Sequence, residues 1–289
     1  MPPANPTQMD SLVSTQWLAD RLGEPDLVVL DASAHLPDAG RDAAAEFAAA
    51  HIPGARFLQL ETFKDGESPV PAALPTAAQF AQRMADIGVR DGDRVVIYDD
   101  SAVKTSARAW FILRMHGVKN VAILDGGLGK WRAEGRALES GESAPAHGDV
   151  TPAIGPGEVR SKADILANLS TRAEQLVDAR GAGRFTGAEP EIRPGMDSGH
   201  IPQSRNLPFG QVLNADGTFK DEPGLRAAFA DAGIDLAQPV VTTCGSGVTA
   251  AVLLFAMELL GKRDVALYDG SWSEWGADPA TPKATGPAA

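Results

Sequence analysis

The sequence predicts an α/β protein built twice, as two tandem domains that each fold a parallel sheet with helices on both faces. Three observations predict it: an internal repeat, an alternation of short apolar runs with helical stretches, and a structure-poor stretch between the two copies. The repeat comes first, because overlooking one misreads the whole fold. Leu27 to Asp31 reads LVVLD and Gln175 to Asp178 reads QLVD, and an HIP turn follows each, at His51 and at His200. Further along, Arg94 to Asp99 reads RVVIYD, and after a helical stretch Val121 to Trp131 reads VAILDGGLGKW. The second copy answers with PVVTTC at Pro239 to Cys244 and VALYDGSWSEW at Val265 to Trp275.

Each element follows from its local pattern. Leu27 to Leu30, Val95 to Tyr98, Val121 to Leu124 and Val240 to Val241 have the length and flanks of buried parallel strands. Helical periodicity covers Thr76 to Ile87, Ser106 to Met115, Glu222 to Ala232 and Thr249 to Leu260. Strands alternating with helices make a sheet covered on both faces, and ligands of such sheets bind beyond the carboxyl ends of the strands. From Ala137 to Gly157 the chain is rich in Gly, Pro and Ser and lacks hydrophobic periodicity. The expected division is therefore an N-terminal domain over 1–138, a linker over 139–157 and a C-terminal domain over 158–289.

Composition removes several function classes. The 289 residues are 44% hydrophobic and 22% charged, the usage of a folded globular chain. With 26 Lys plus Arg against 38 Asp plus Glu, the net charge of -12 repels nucleic acid and anionic membranes alike. No apolar run reaches the roughly 20 residues of a membrane span, and the expected location is cytoplasmic. A single cysteine, Cys244, rules out an intramolecular disulfide, a CxxC pair and a cysteine-built zinc site. No GxxxxGK[ST] or HExxH motif occurs, so neither a metal nor a cofactor is expected.

Cys244 stands where a strand turns into a helix. Cys-Gly-Ser-Gly-Val-Thr follows PVVTT and precedes AAVLLFAMELL. Glycines at 245 and 247 let successive backbone N–H groups turn inward, and the helix start adds donors and the positive end of its dipole. The loop Gly245, Ser246, Gly247, Val248 and Thr249 is thus a cradle for negative charge beside the sulfur. An ordinary thiol is only a few per cent thiolate at pH 7, and one helix end contributes about 0.3–2 kcal/mol, so several aimed N–H groups are needed. The competing reading is an inert buried cysteine. Aligning VVIYD with VVTTC puts Asp99 at the cysteine position of the first copy, which leaves that copy without a nucleophile. A phosphatase loop needs Arg six residues after its cysteine, where this chain has Ala250, and redox cycling needs a second thiol. Sulfur transfer needs one thiolate.

Together these features resemble the two-domain rhodanese-fold sulfurtransferases. The likeness rests on the tandem repeat, both HIP turns, the Asp99 and Cys244 pair, CGSGVTA and DGSWSEW, and runs from about Met9 to Asp278. It implies two rhodanese-like domains, of which only the second is catalytic. Within that family CGSGVT resembles the loop of 3-mercaptopyruvate sulfurtransferases, whereas thiosulfate sulfurtransferases place basic residues there, as in CRKGVT. The resemblance implies that Cys244 takes sulfur from 3-mercaptopyruvate as a persulfide and passes it to cyanide or a thiol, with thioredoxin among the acceptors. Thiosulfate is the alternative donor. A non-catalytic persulfide carrier or docking module is a further alternative, although docking does not require cysteine at the place where the repeat has Asp99.

The same resemblance assigns the donor's carboxylate and carbonyl to Arg184 and Arg193 in GRFTGAEPEIRPG, where a planar fork pairs bidentately with carboxylate. The plainer reading makes them surface arginines paired with Glu189 and Glu191. Arg180 reads as a structural residue. Trp272 is placed either at the donor pocket or in the core. One departure weakens the donor assignment: where mercaptopyruvate enzymes carry an acid and a histidine in the first domain, this chain has Glu61 and Ala72, so a proton relay to Ser246 is incomplete. His51 and His200 occur in both copies and are read as packing residues. Asp125 and Asp269 are read as turn residues.

Overall fold

The computed structural model of the chain describes residues 9–142, 145–153, 159–191 and 195–288. The chain divides into two compact units. The first comprises Met1–Lys64, Pro75–Gly155 and Ala215–Thr218, and the second Asp65–Leu74, Pro156–Asn214 and Phe219–Ala289. Each unit thus takes one short segment from the other half of the sequence, which no periodicity announces.

In unit 1 the elements run β1 (Leu12–Val13), α1 (Thr15–Ala19), β2 (Leu27–Asp31), α2 (Ala43–Ala49), β3 (Arg56–Phe57), α3 (Ala77–Asp86), β4 (Arg94–Tyr98), α4 (Thr105–Met115), β5 (Val121–Leu124) and α5 (Gly127–Ala133). Unit 2 repeats the series as β6 (Val159–Arg160), α6 (Lys162–Thr171), β7 (Gln175–Asp178), α7 (Ala182–Thr186), β8 (Arg205–Asn206), α8 (Glu222–Asp231), β9 (Val240–Thr243), α9 (Val248–Leu259), β10 (Val265–Tyr268) and α10 (Ser271–Trp275). The sheets have the same order, β1-β5-β4-β2-β3 and β6-β10-β9-β7-β8, and every pairing is parallel. The four helical predictions match α3, α4, α8 and α9 to within a residue at each end. β9 runs on through Thr242 and Thr243, because β-branched threonines fit a pleated strand and both are buried here.

Alternate residues of β4, Val95 and Ile97 on one side and Val96 and Tyr98 on the other, are all fully buried, so apolar layers cover both faces of the sheet. α9 is buried from Ala250 to Met257, as expected of a helix apolar all round. Ala250, which stands where a phosphatase loop has its arginine, is fully buried in the first turn of this helix.

The register validates the repeat alignment residue by residue. Asp31 pairs with Tyr98 in unit 1 and Asp178 with Thr243 in unit 2, so the next residues, Asp99 and Cys244, are equivalent. The HIP histidines are packing residues. Nδ1 of His51 donates to the Phe47 carbonyl at 2.7 Å while its ring stacks on Phe47 at 4.0 Å, and His200 does the same with Phe185 at 2.8 and 3.8 Å. Their backbones bridge antiparallel to Glu139 and Ala284 respectively. The described part of the stretch 139–157 therefore begins as a strap bonded to unit 1, and Asp149 and Ala153 extend it with bonds to Val89 and His116.

Candidate active site

The site in unit 2 starts from the end of β9. Cys244 is the first residue beyond the strand and is 2% exposed. Gly247 takes the left-handed backbone, φ 78°, that turns the chain into α9, and at that position a Cβ is strained whatever space surrounds it. Apolar burial anchors α9, so its N-terminal donors cannot swing away. Among the described residues, the backbone N–H groups of Gly245 to Thr249 find no protein acceptor. The first turn of a helix always leaves such donors over, and the glycine loop adds to them. Ser246 and Thr249 are half-buried, and among the described residues their hydroxyls bond to no protein group.

Arg184, on α7, approaches this loop. A Cβ built on Gly245 would stand 3.4 Å from Nη2 of Arg184, so the guanidinium lies over the residue next to the cysteine. Nη2 donates to Glu191, whose carboxylate side chain is 1% exposed, while the buried Nε has no partner among the described residues. The expected pairing with Glu191 is therefore present, but it is buried rather than a surface contact. Glu191 gives its other oxygen to Nη1 of Arg180 at 2.6 Å. Arg180 in turn pairs bidentately with Asp178, Nη2 to Oδ2 at 2.7 Å and Nε to Oδ1 at 3.1 Å, and donates to the Gly199 carbonyl. Burial opposes its charge, yet Asp178 and Glu191 outweigh burial and hold the guanidinium more firmly protonated than usual, with Cys244 within its electrostatic reach. The structural reading of Arg180 stands.

Other sequence-derived candidates fall differently. Trp272 is 1% exposed, lies beneath the Arg180 guanidinium at 4.5 Å, and donates its indole N–H to the Asp197 carbonyl, which makes it a core residue. Arg193 lies outside the described residues. Glu61 is exposed in unit 1, whereas Ala72 belongs to unit 2. Asp269 accepts the Leu74 N–H at 2.8 Å, which ties the segment 65–74 into unit 2. A cavity of about 400 Å³ lined by Asn168, Arg172, Gln203 and Arg205 also opens in unit 2, but none of the site residues lines it. The buried bridge through Glu191 was not legible in the sequence, where EPE reads as three exposed loop residues.

Comparison with known proteins bears directly on this arrangement. The rhodanese-like domain model matches twice, over residues 14–134 and 161–278. The chain belongs to the rhodanese family of sulfurtransferases. It is 42% identical over 279 residues to human 3-mercaptopyruvate sulfurtransferase, covering 94% of both chains. It is 40% identical over 272 residues to the thiosulfate sulfurtransferase of Cricetulus griseus, covering 92% of this chain and 91% of that one. The crystal structure of SseA from Escherichia coli, a 3-mercaptopyruvate sulfotransferase, superposes with a TM-score of 0.83 at 36% identity over 92% of this chain and all of that one. The rhodanese fold occurs here twice in one chain, with cysteine at the strand end of the second copy and aspartate at that of the first.

Proposed function

We propose that this sulfurtransferase takes its sulfur from 3-mercaptopyruvate and carries it as a persulfide on Cys244. The observation that carries the reading is the pairing of a buried thiol and unclaimed N–H groups with a guanidinium, that of Arg184, over the neighbouring glycine. The Cys244 thiolate attacks the thiol sulfur of the donor. The carbon–sulfur bond breaks, its electron pair leaves with carbon as the enolate of pyruvate, and the proton given up by the donor's thiol balances the one that converts that enolate to pyruvate. The sulfur stays on Cys244 as Cys–S–S⁻, stabilised by N–H groups aimed at developing charge. Cyanide or a thiol then removes the outer sulfur, and a protein dithiol such as thioredoxin serves as an acceptor in this scheme.

Arg184 supports the choice of donor. Mercaptopyruvate keeps its carboxylate several atoms from the sulfur, so the matching positive charge belongs beside the loop rather than in it. Gly245, without a side chain, leaves room for the Arg184 guanidinium, whose Nη2 faces the loop and offers charge-assisted bonds to an anionic oxygen. Arg193 is assigned the second fork on the strength of the GRF and EPEIR motif. Cytoplasmic location is proposed as well, since a lone persulfide-forming thiol works where thiols are kept reduced.

Thiosulfate is the second reading, favoured by Ala72 at the relay position and by the similar thiosulfate sulfurtransferase. Its outer sulfur would pass to Cys244 with sulfite leaving. Two measurements test the assignment. Incubation with 3-mercaptopyruvate adds one sulfur, about 32 Da, to the intact mass of the wild type and none to Cys244→Ser. The kcat/KM ratio for the two donors favours mercaptopyruvate; a ratio favouring thiosulfate overturns the donor.

A further inference from the structure

The repeat provides an internal control for the surroundings of Cys244, because unit 1 has the equivalent strand-to-helix junction, with a connection two residues longer and aspartate in place of cysteine. Two differences stand out in the turn that follows the last long strand. DGGLGKW in unit 1 is matched by DGSWSEW in unit 2, so Ser271 replaces Gly127 and Ser273 replaces Gly129. Ser271 is fully buried and keeps the left-handed backbone of its glycine counterpart, with φ 49° against 58°. A residue with a Cβ is costly in that region and glycine is not, so the serine is retained against a conformational penalty. An outlier of this kind points to a use for the side chain.

Both hydroxyls reach the backbone of the cysteine loop. Ser271 Oγ accepts the Cys244 N–H at 3.3 Å and donates to the Tyr268 carbonyl at 2.9 Å. Ser273 Oγ donates to the Gly245 carbonyl at 2.5 Å, and its own N–H donates to that oxygen at 2.9 Å. Between them, the Trp272 N–H donates to the Cys244 carbonyl at 2.9 Å, as the Leu128 N–H does to Asp99 at 3.0 Å in unit 1. Only this middle contact is common to both halves.

We propose that Ser271 and Ser273 are positioning residues that clamp the cysteine loop from outside. The proposal rests on Cys244 as the nucleophile. The peptide group is planar, so fixing one of its atoms fixes the rest. Bonds from the first turn of α10 hold three consecutive planes, at the Cys244 N–H, the Cys244 carbonyl and the Gly245 carbonyl. The last two planes carry the N–H groups of Gly245 and Ser246, which are thereby held in place before sulfur charge develops. The need for an outside clamp follows from the cysteine itself. In unit 1 the Asp99 carboxylate ties its loop by accepting from Ser101 and Ser106, both at 2.9 Å, and a thiol has no such acceptors to offer.

The test uses Ser271→Gly, Ser273→Ala and the double variant in the full chain. Pyruvate release with cyanide as acceptor gives kcat and KM, iodoacetamide gives the reactivity of Cys244, and thermal unfolding gives Tm. Ser271→Gly is expected to hold or raise Tm while lowering kcat about fivefold to tenfold, with KM for mercaptopyruvate within about twofold of wild type because Arg184 is untouched. The double variant is expected to lose about 30- to 100-fold in kcat, with iodoacetamide reactivity falling in parallel. A merely structural serine would lower Tm and leave kcat of the folded enzyme alone. Wild-type kcat in the double variant, or a kcat loss in Ser271→Gly that only tracks a fall in Tm, overturns the clamp. Turnover by Cys244→Ser would instead overturn the nucleophile assignment, and the clamp with it.

Discussion

The loop after β4 and the loop after β9 occupy the same place in the two units, and they dispose of their backbone donors in opposite ways. In unit 1 the buried Asp99 carboxylate accepts the N–H groups of Ser101 and Ser106, Ser33 takes that of Asp100, and Ser101 takes that of Val103. In unit 2 the connection is two residues shorter, and the donors along it and into α9, from Gly245 to Thr249, find no protein acceptor among the described residues. The same fold therefore yields a closed, self-satisfied loop or an open anion cradle, depending on whether the residue at the strand end brings its own negative oxygens. N–H groups left over at a glycine loop and a helix start are the donors that an anion can use.

A second contrast lies one strand over. Asp31 and Asp178 end equivalent strands. Burial pushes the Asp31 carboxyl above the usual range despite the Ser33 N–H it accepts, whereas Asp178 has the Arg180 fork beside it. Arginine takes the place of Ser33 in the unit that carries Cys244, and through the buried Glu191 it joins the partly exposed Arg184 in one chain of charges.

The comparison breaks most visibly at its two defining residues. Cys244→Ser should lower turnover by at least about three orders of magnitude, and Cys244→Asp should be as inactive yet fold with an undiminished Tm, since its carboxylate finds the donors that Asp99 finds. Adding Asp99→Cys to Cys244→Ser should restore no turnover. Measurable activity in that double variant would mean that the first loop is also a cradle. Asp99→Ala tests the closed loop itself. Losing the acceptor for two buried N–H groups should destabilise unit 1 by about 2–4 kcal/mol, read from urea denaturation, while the folded enzyme keeps its kcat.

Arg184 sharpens the open side. Arg184→Gly should raise KM for mercaptopyruvate by one to two orders of magnitude, as expected for about 1.5–3 kcal/mol from a charge-assisted bond. Alkylation of Cys244 by neutral iodoacetamide should be nearly unchanged and that by anionic iodoacetate slower, because only the second senses the lost charge. Wild-type KM in this variant would remove Arg184 from the donor site. The smallest effect concerns His200. Burial lowers its basicity below the ordinary value near 6.5, so the unfolded chain binds the proton more readily than the folded one. Its contribution to stability is full above that pH and is lost as pH falls below it. Urea midpoints at pH 7 and pH 5.5 should therefore differ more for the wild type than for His200→Gln, and equal differences would refute the assignment.

The sequence alone determined the repeat, the strand-and-helix alternation and the position of Cys244, because these depend on local periodicity and on residues adjacent in the chain. A run such as VVTTC followed by two glycines and an apolar helix admits few local structures, and aligning it with VVIYD already separated the reactive copy from the inert one. Tertiary structure alone decided which groups from distant segments meet. The Glu191 bridge joins residues 180, 184 and 191 only after the loop folds back over α7, and burial turns what reads as an exposed acidic loop into a shared counter-ion. Trp272 reads equally well as pocket wall or core until its indole bonds to Asp197 beneath Arg180. The hydroxyls of Ser271 and Ser273 stand 27 and 28 residues from the backbone groups that they hold, and that separation closes only when β9 and β10 lie side by side. Local sequence sets which conformations a segment prefers, whereas contacts across the sheet depend on strand order and register, and only the folded chain supplies those.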